Sequence, residues 1–408
     1  MIFFFILESL ENIIDCLFKP LYHLTISLQV YDMLKSVKLT NFFSFREQTI
    51  ELHPKVNVLI GVNGSGKSNF LKALTILQES VKKRLSRLII NNWGGLKEII
   101  YSNGEPLNNF NINYTFSEKL LSPEYDKELH YNLTFNRLAS QSNYYIDEKL
   151  MLDDGNDDYF IDMAENQYSD SKNKTETLLS NYFDNTNITQ TLLRPQNKKV
   201  FDYFLSINVY ENFDTRYLRS KSPITPESHL DTDGSNLASL LNRLEIDYPD
   251  NFLNIIDKFQ DVNSSYKNIN LDLNETEIRI KLKESSLSNF ISSRHISDGT
   301  LRYLCLLAIL YNPNRGKLVC IDEPETGLHP DLLFNIADGI REASKDTQFI
   351  IATHSNILLD SFDIENIRVF EKNEKNETIV TRVNEEKLKE DETLGEMWRN
   401  GVLGGNRW

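Results

Sequence analysis

The sequence predicts an α/β fold: a mixed sheet core that carries an antiparallel β lobe and an inserted helical lobe. Three stretches of its 408 residues predict it. Val56–Ile60 is an apolar run that enters a glycine-rich turn and then a helix. Leu318–Ile321 is a second apolar run, closed by paired acids. Gln348–Ala352 is a third, closed by Thr353-His354-Ser355. Short apolar runs bounded by polar turns read as strands buried in a sheet.

The first stretch is the most informative. Gly61, Gly64, Gly66, Lys67 and Ser68 fit G-x-x-x-x-G-K-[ST], the P-loop pattern. Glycines let backbone N–H groups approach phosphate oxygens with no Cβ in the way. Lys67 supplies a point charge for the β- and γ-phosphates, and the Ser68 hydroxyl is a ligand for Mg²⁺. Asn63, Gly64, Ser65, Gly66, Lys67, Ser68 and Asn69 are therefore the expected nucleotide cradle. Phe70, Ala73, Leu74 and Leu77 recur at helical spacing behind it, so a helix aims its N-terminus at the phosphates.

An apolar fraction of 40% and a mean hydropathy of −0.40 are ordinary for a globular chain. A formal charge of −15 argues against indiscriminate coating of nucleic acid, though not against a local basic groove. Cys16, Cys305 and Cys320 have no metal-ligand spacing and read as small buried hydrophobes of a reducing, cytoplasmic setting. Met1–Leu7 is apolar but too short to span a bilayer, and it lacks a basic flank and a cleavage site. No membrane association is expected. Residues 1–32 read as a dispensable extension, either a peripheral helix or sequence upstream of a true start at Met33.

Val37–Leu39, Thr49–Leu52 and Val56–Ile60 read as the first strands. The segment Asn41-Phe-Phe-Ser-Phe-Arg46-Glu either lays its aromatics and Arg46 against an adenine base or contributes core phenylalanines. Lys82-Lys83-Arg84-Leu85-Ser86-Arg87 is the densest basic run, either a phosphodiester contact or a solvated face; Arg216, Arg219 and Lys221 form a second basic cluster. Residues 110–116, 129–137 and 144–152 alternate as strands, and 153–191 reads as a polar excursion. Residues 198–205 read as helix, Ser235 as the cap of a helix through Leu244, and 252–259 as a further helix. Strands are expected at 269–273 and 277–282. No repeat and no coiled-coil heptad run interrupts the chain.

Ser297, Asp298 and Gly299 open an apolar helix, Leu301–Tyr311, and make a second polar loop feeding a helix N-terminus. In Leu318-Val-Cys-Ile-Asp322-Glu323-Pro-Glu325, Asp322 is placed to hold Mg²⁺ and Glu323 to polarise a water for in-line attack on the γ-phosphate. Glu325 reads either as a solvated loop acid or as part of the metal site. His354 sits at a strand tip, where it can sense the γ-phosphate or orient that water. The charged segment 371–393 reads as a surface hairpin and helix, and 397–408 as a docked tail.

This ordered set of P-loop, Ser-Asp-Gly loop, Asp-Glu-Pro-Glu strand and Thr-His-Ser strand resembles the ABC-class ATPase heads of the RecF/SMC group. It is most similar to the compact bacterial AAA-family ATPases of the RecF-like, OLD-related kind. The resemblance covers residues 33–100 and 290–408, which would be the two parts of the head, with 101–289 as inserted β and helical lobes. It implies an ATP- and Mg²⁺-dependent homodimer. In it, Ser297, Asp298 and Gly299 of one copy close on nucleotide held by the other. It also implies that Glu323 is the general base, that His354 is the switch histidine, and that Gly327–His329 lie across the seam. A Q-loop glutamine is missing, and the Trp93–Gly95 region is the expected replacement. Coiled-coil arms are absent, and about 50 residues after His354 are too few for the Toprim nuclease of OLD-type relatives.

The expected function is an ATP-hydrolysing switch in DNA repair or anti-phage defence, working with a separate effector such as a nuclease. The alternative is an ATP-locked scaffold that restrains a protein partner without touching DNA. The missing glutamine argues against a transporter subunit. The lack of a second acidic cluster argues against a nuclease.

Overall fold

The computed structural model describes residues 33–104, 106–117, 120, 128–138, 144–152, 159–162, 176–177, 195–261, 264–383 and 392–404. The expectations for 1–32, most of 153–191 and residues 405–408 lie outside them. The chain begins with β1 (Leu34–Phe42) and β2 (Phe45–Glu51), then runs through β3 (Val56–Gly61) into α1 (Lys67–Glu79). A π-helical turn, Arg87–Asn92, and α2 (Leu96–Ile99) lead to β4 (Asn109–Phe116), β5 (Leu129–Arg137), β6 (Tyr144–Leu152) and β7 (Tyr159–Asp162). Next come α3 (Pro195–Leu205), β8 (Ile207–Tyr210), α4 (Thr215–Leu218), β9 (Ser222–Pro223), α5 (Leu237–Asp247) and α6 (Pro249–Gln260). After them come β10 (Tyr266–Asn274), β11 (Glu277–Glu284), β12 (Ile291–Ser292), α7 (Asp298–Leu310), β13 (Leu318–Asp322), α8 (Pro330–Ala343), β14 (Gln348–Ala352) and α9 (Asn356–Asp360). The chain closes on the hairpin β15 (Ile367–Lys372) and β16 (Thr378–Arg382), and on α10 (Leu394–Arg399).

The central sheet has the order β16-β15-β3-β14-β13-β8. Strands β15, β3, β14, β13 and β8 run parallel, and β16 pairs antiparallel at one edge. Both faces of this sheet are buried, as parallel sheets require. Leu59, Leu318, Cys320, Ile350 and Ala352 join one core cluster; Val58, Ile60, Val319, Ile321 and Ile351 join the other. On the first face lie α1, α3 and the antiparallel sheet β2-β1-β4-β5-β6-β7. On the second lie α5, α6, α7 and α8 with the small sheet around β10 and β11.

Two sequence expectations change, and one pair of alternatives is decided. Ile207–Tyr210 lies in the central sheet beside β13, so the span 101–289 is not purely inserted. Helix α5 begins at Leu237 with Asn236 as its first flanking residue, because Ser235 instead turns its N–H to Asp233. Phe42 and Phe45 are fully buried, and Arg46 donates to Asn41 Oδ1 at 2.5 Å, so these side chains serve the core and a local turn. The tail is docked through buried Met397, Trp398 and Leu403. Among the described residues no helix is long and apolar enough to cross a membrane.

Candidate active site

Parallel pairing brings four strand ends to one edge. Asp322 is opposite Ala352, Ala352 opposite Leu59, and Ile321 opposite Tyr210. The turn after β3, the paired acids after β13, His354 after β14 and Glu211 after β8 are therefore neighbours. Ligands of open α/β sheets bind at such an edge.

The turn after β3 is held by glycines with positive φ, +79° at Gly64 and +112° at Gly66. A Cβ at Gly66 would strike Thr378 Oγ1, and Gly66 caps α1 without a side chain. The first N–H groups of α1 have no side-chain cap and are left for an anion. Bracing comes from a distance. Thr378 Oγ1 donates to the Ser65 carbonyl at 2.8 Å, and Asn69 Nδ2 donates to Ser44 Oγ at 3.0 Å. Asn69 is thus tied to the β1–β2 turn, while Asn63 and Gly64 are exposed.

Lys67 is only 6% exposed. Its Nζ donates to the Gly61 carbonyl at 2.7 Å and lies 3.1 Å from His354 Nε2. Burial lowers its pKa, opposed by the charges of Asp322, Glu323 and Glu325. Ser68 Oγ donates to Asp322 Oδ2 at 3.1 Å. Burial pushes the Asp322 carboxyl up to about 6; Glu323 and Glu211 push the same way, while Ser68 and Lys67 oppose. One hydroxyl and one carboxylate, with phosphates and water completing an oxygen shell, suit Mg²⁺, which seldom takes an all-protein cage. Ser68 and Asp322 therefore fit that ion.

Glu323 occupies the left-handed region at φ +47°, with its N–H on the Ala352 carbonyl at 2.8 Å. The turn swings its carboxylate outward, to 3.7 Å from His354 Nε2, and Oε2 accepts from Thr326 Oγ1 at 3.3 Å. Glu325 is neither a solvated acid nor a partner of Ser68 and Asp322. Its Oε1 accepts from Thr353 Oγ1 at 2.8 Å and from the His354 N–H at 2.6 Å.

Ser297, Asp298 and Gly299 are not joined to the P-loop within one chain; their side-chain bonds run elsewhere. Ser297 caps α7, accepting from the Thr300 N–H at 3.1 Å. Asp298 lies 2.6 Å from Arg219, whose hydrogen bond holds the Asp298 carboxyl below the usual range. A Cβ on Gly299 would fall on the Gly327 carbonyl oxygen, so this loop packs backbone to backbone on the loop after β13. His329 caps α8, its Nδ1 accepting from the Asp331 N–H at 3.3 Å, and is exposed.

The structure adds residues that motif reading missed. Glu211, Asn212 and Arg302 line a cavity of about 380 Å³ together with Asp322, Glu323 and Thr326. The strand end beside Asp322 thus carries Glu211 and Asn212, and Trp93, in the region expected to replace the missing glutamine, lines a second cavity with both of them. Trp93 packs edge-on against Phe43, centroids 5.9 Å apart. The local signal for Glu211 is weak: an acid follows the short stretch Ile207-Asn-Val-Tyr210, which Asn208 interrupts, unlike the continuous apolar stretch before Asp322.

Residues 56–360 match the family model described as "AAA domain, putative AbiEii toxin, Type IV TA system". A Helicobacter pylori protein named ATP/GTP phosphatase is 26% identical over 352 residues, covering 81% of this chain and 88% of its own. The DNA replication and repair protein RecF of Staphylococcus haemolyticus is 42% identical over 53 residues, 13% of this chain and 14% of RecF. Among solved structures, an Smc head bound to the C-terminal winged-helix domain of ScpA superposes with a TM-score of 0.57 at 15% identity. That match covers 87% of this chain and 99% of the head. The Smc head from Pyrococcus furiosus, bound to the C-terminal domain of ScpA, gives 0.52 at 14% identity over 87% and 97%. At these identities the likeness speaks for the fold.

Proposed function

As this chain belongs to that AAA-domain family and is an ATPase of the RecF/SMC-like type, we propose that it works as an ATP-dependent dimerising switch. The supporting observation is an asymmetry. Lys67, Ser68, Asp322, Glu323 and His354 converge at one sheet edge, while the Ser297–Gly299 loop bonds only within its own half. One chain alone leaves the γ-phosphate side of the cradle open. The second copy's α7 N-terminus, with Ser297 and the N–H groups after it, would cover that phosphate and exclude water.

In this reading the N–H groups of Gly64–Ser68 cradle the phosphates, and Lys67 leaves the Gly61 carbonyl to meet the β- and γ-phosphates. Ser68 and Asp322 would hold Mg²⁺, which supplies charge neutralisation at the phosphates. Glu323 takes the proton of the attacking water, and His354 contacts the γ-phosphate. Arg219 neutralises Asp298, so a carboxylate at the tip of α7 does not repel the triphosphate. Glu323→Gln should lower turnover by roughly two orders of magnitude or more while leaving ATP bound. ATP-loaded dimers should then accumulate in light scattering after gel filtration; wild-type turnover would remove Glu323 as base.

The family description, and the RecF likeness of one short segment, support a role in defence or DNA repair beside a separate effector. The scaffold alternative has its own support. The formal charge is −15, and Arg84 and Arg87 share a cavity with Glu79, Glu211 and Asp233, which dilutes their pull on a polyanion. Reversing Lys82, Lys83, Arg84 and Arg87 should weaken DNA binding and flatten its salt dependence. Unchanged binding would favour the scaffold.

A further inference from the structure

We infer that Glu325 is a positioning residue for His354. Its carboxylate fixes the peptide that carries the histidine, and so sets how the imidazole meets Lys67 and an incoming triphosphate.

The argument starts where the sheet ends. The ladder between β13 and β14 stops at Asp322 and Ala352. Beyond it, Glu323 still gives its N–H to the Ala352 carbonyl, but at φ +47° its own carbonyl turns to the Thr326 N–H at 3.0 Å, so β13 offers no acceptor to the next residues of β14. On the other side Thr353 is still anchored, its N–H on the Leu59 carbonyl at 3.1 Å. The His354 N–H would have lost its ladder neighbour, and a backbone donor seeks a partner. Glu325 takes the missing strand's place: one oxygen, Oε1, accepts from the His354 N–H at 2.6 Å and from Thr353 Oγ1 at 2.8 Å. Having given its proton to Glu325, the Thr353 hydroxyl accepts from the Ser355 N–H at 2.9 Å. Ser355 then caps α9, accepting from the Leu358 N–H at 3.3 Å. Three consecutive residues and the start of a helix are thereby keyed to a single carboxylate oxygen, through hydrogen bonds of the stronger, charge-assisted kind.

His354 Nε2 stands 3.1 Å from Lys67 Nζ. A shift of about an ångström in a positioned group is enough to spoil such a contact. Glu325 has no part in the bond between Ser68 and Asp322; its charge also acts on Lys67, so the neutral variant E325Q, which keeps an acceptor for both donors, separates positioning of His354 from that charge.

The inference rests on the reading of His354 as a γ-phosphate contact, and the test separates the two. The readout is the ratio of affinities for ATP and ADP, each with Mg²⁺, measured on the full chain by displacement of a fluorescent nucleotide. Wild type, H354A, E325A, E325Q and the E325A/H354A double variant are compared. H354A should lose most of the preference for ATP. E325A should lower it by roughly tenfold, the effect of one misplaced hydrogen-bonding group. E325Q should keep most of it, because its amide oxygen still accepts from both donors. The double variant should be no worse than H354A alone. A wild-type ratio in E325A beside a reduced one in H354A overturns the inference, as does an additive loss in the double variant. A wild-type ratio in H354A overturns the reading of His354 and the inference with it. Should E325A fail to fold, Thr353→Val removes one of the two donors at nearly constant volume. It should lower the ratio in the same direction, and a wild-type ratio there overturns the inference too.

Discussion

Burial raises the Asp322 carboxyl from its ordinary value near 3.8 to about 6, so at neutral pH the apo fold holds a charge where charge is disfavoured. The sign follows from linkage. Below pH 3.8 both folded and unfolded chains hold the proton, and the group contributes nothing. Between there and about 6 the unfolded chain releases it first, so stability falls as pH rises; above about 6 the full penalty stands. Its size is roughly 3 kcal/mol at 1.36 kcal/mol per pH unit. Asp322→Asn removes that penalty and forfeits about 1 kcal/mol from the Ser68 hydrogen bond. The magnesium- and nucleotide-free variant should therefore be more stable than wild type by roughly 2 kcal/mol at pH 8. The advantage should vanish or reverse near pH 4. Denaturant titration at the two pH values checks it, and an equal difference at both would mean that the carboxyl titrates at its ordinary value. Asp322 thus illustrates the usual trade at an active site, in which a group kept for ligand binding strains the empty fold.

At the level of elements, the start of α7 has a capping role and a proposed role at the partner's phosphate, and one substitution can separate them. Ser297 Oγ satisfies an orphan N–H of its own helix and lies 2.6 Å from Thr300 Oγ1; with Thr300 donating in that pair, the Ser297 O–H is left for an anion. Aspartate caps helices as well as serine does, so Ser297→Asp should leave thermal stability within about 0.5 kcal/mol of wild type. It would also place a fixed negative charge where the partner's γ-phosphate arrives. ATP-dependent dimerisation should be lost while nucleotide binding by the monomer persists, as gel filtration with and without ATP would show. The same scale explains what the sequence disclosed. Phe110, Ile112, Tyr114 and Phe116 alternate inward along β4, and β3, β13 and β14 are short, mostly apolar and buried, so local pattern alone marks them. Strand β8 is only four residues long and abuts α3, and its place depends on Ile207 meeting Leu318 across the chain. No local pattern reveals such a pairing, which is why Glu211 went unseen. Glu325 is ambiguous for the same reason, since its donors, Thr353 and His354, come from the turn after β14. The Ser297–Gly299 loop was legible as a helix start, but its close seat on Gly327 was not.

For the molecule as a whole, the question is whether one chain or two make a working site. In the proposed dimer, the P-loop, Asp322, Glu323 and His354 make up one half-site. Ser297–Gly299 belong to another, and the two are carried on the same chain at different places. A closed two-fold dimer pairs each half-site with the partner's complement, so two sites form at once. Lys67→Ala empties a chain's own cradle but leaves its Ser297 loop intact. Ser297→Asp spoils the loop but leaves the cradle. Each variant alone should be inactive, since neither forms an ATP-bound dimer with itself. Mixed in equal amounts, they form heterodimers in which the Ser297→Asp cradle meets the Lys67→Ala loop, and one site of the two is whole. Because neither variant forms an ATP-bound dimer with itself, the dimers in the mixture are heterodimers with one whole site of two, so the mixture should recover up to about half of wild-type turnover when every chain is paired and sites act independently. Recovery should grow with protein concentration as pairing saturates. A site that worked within a single chain would gain nothing from mixing, because neither chain holds both intact parts. A mixture as inactive as its components, with heterodimers demonstrated by differential tagging, would therefore count against shared sites that turn over independently.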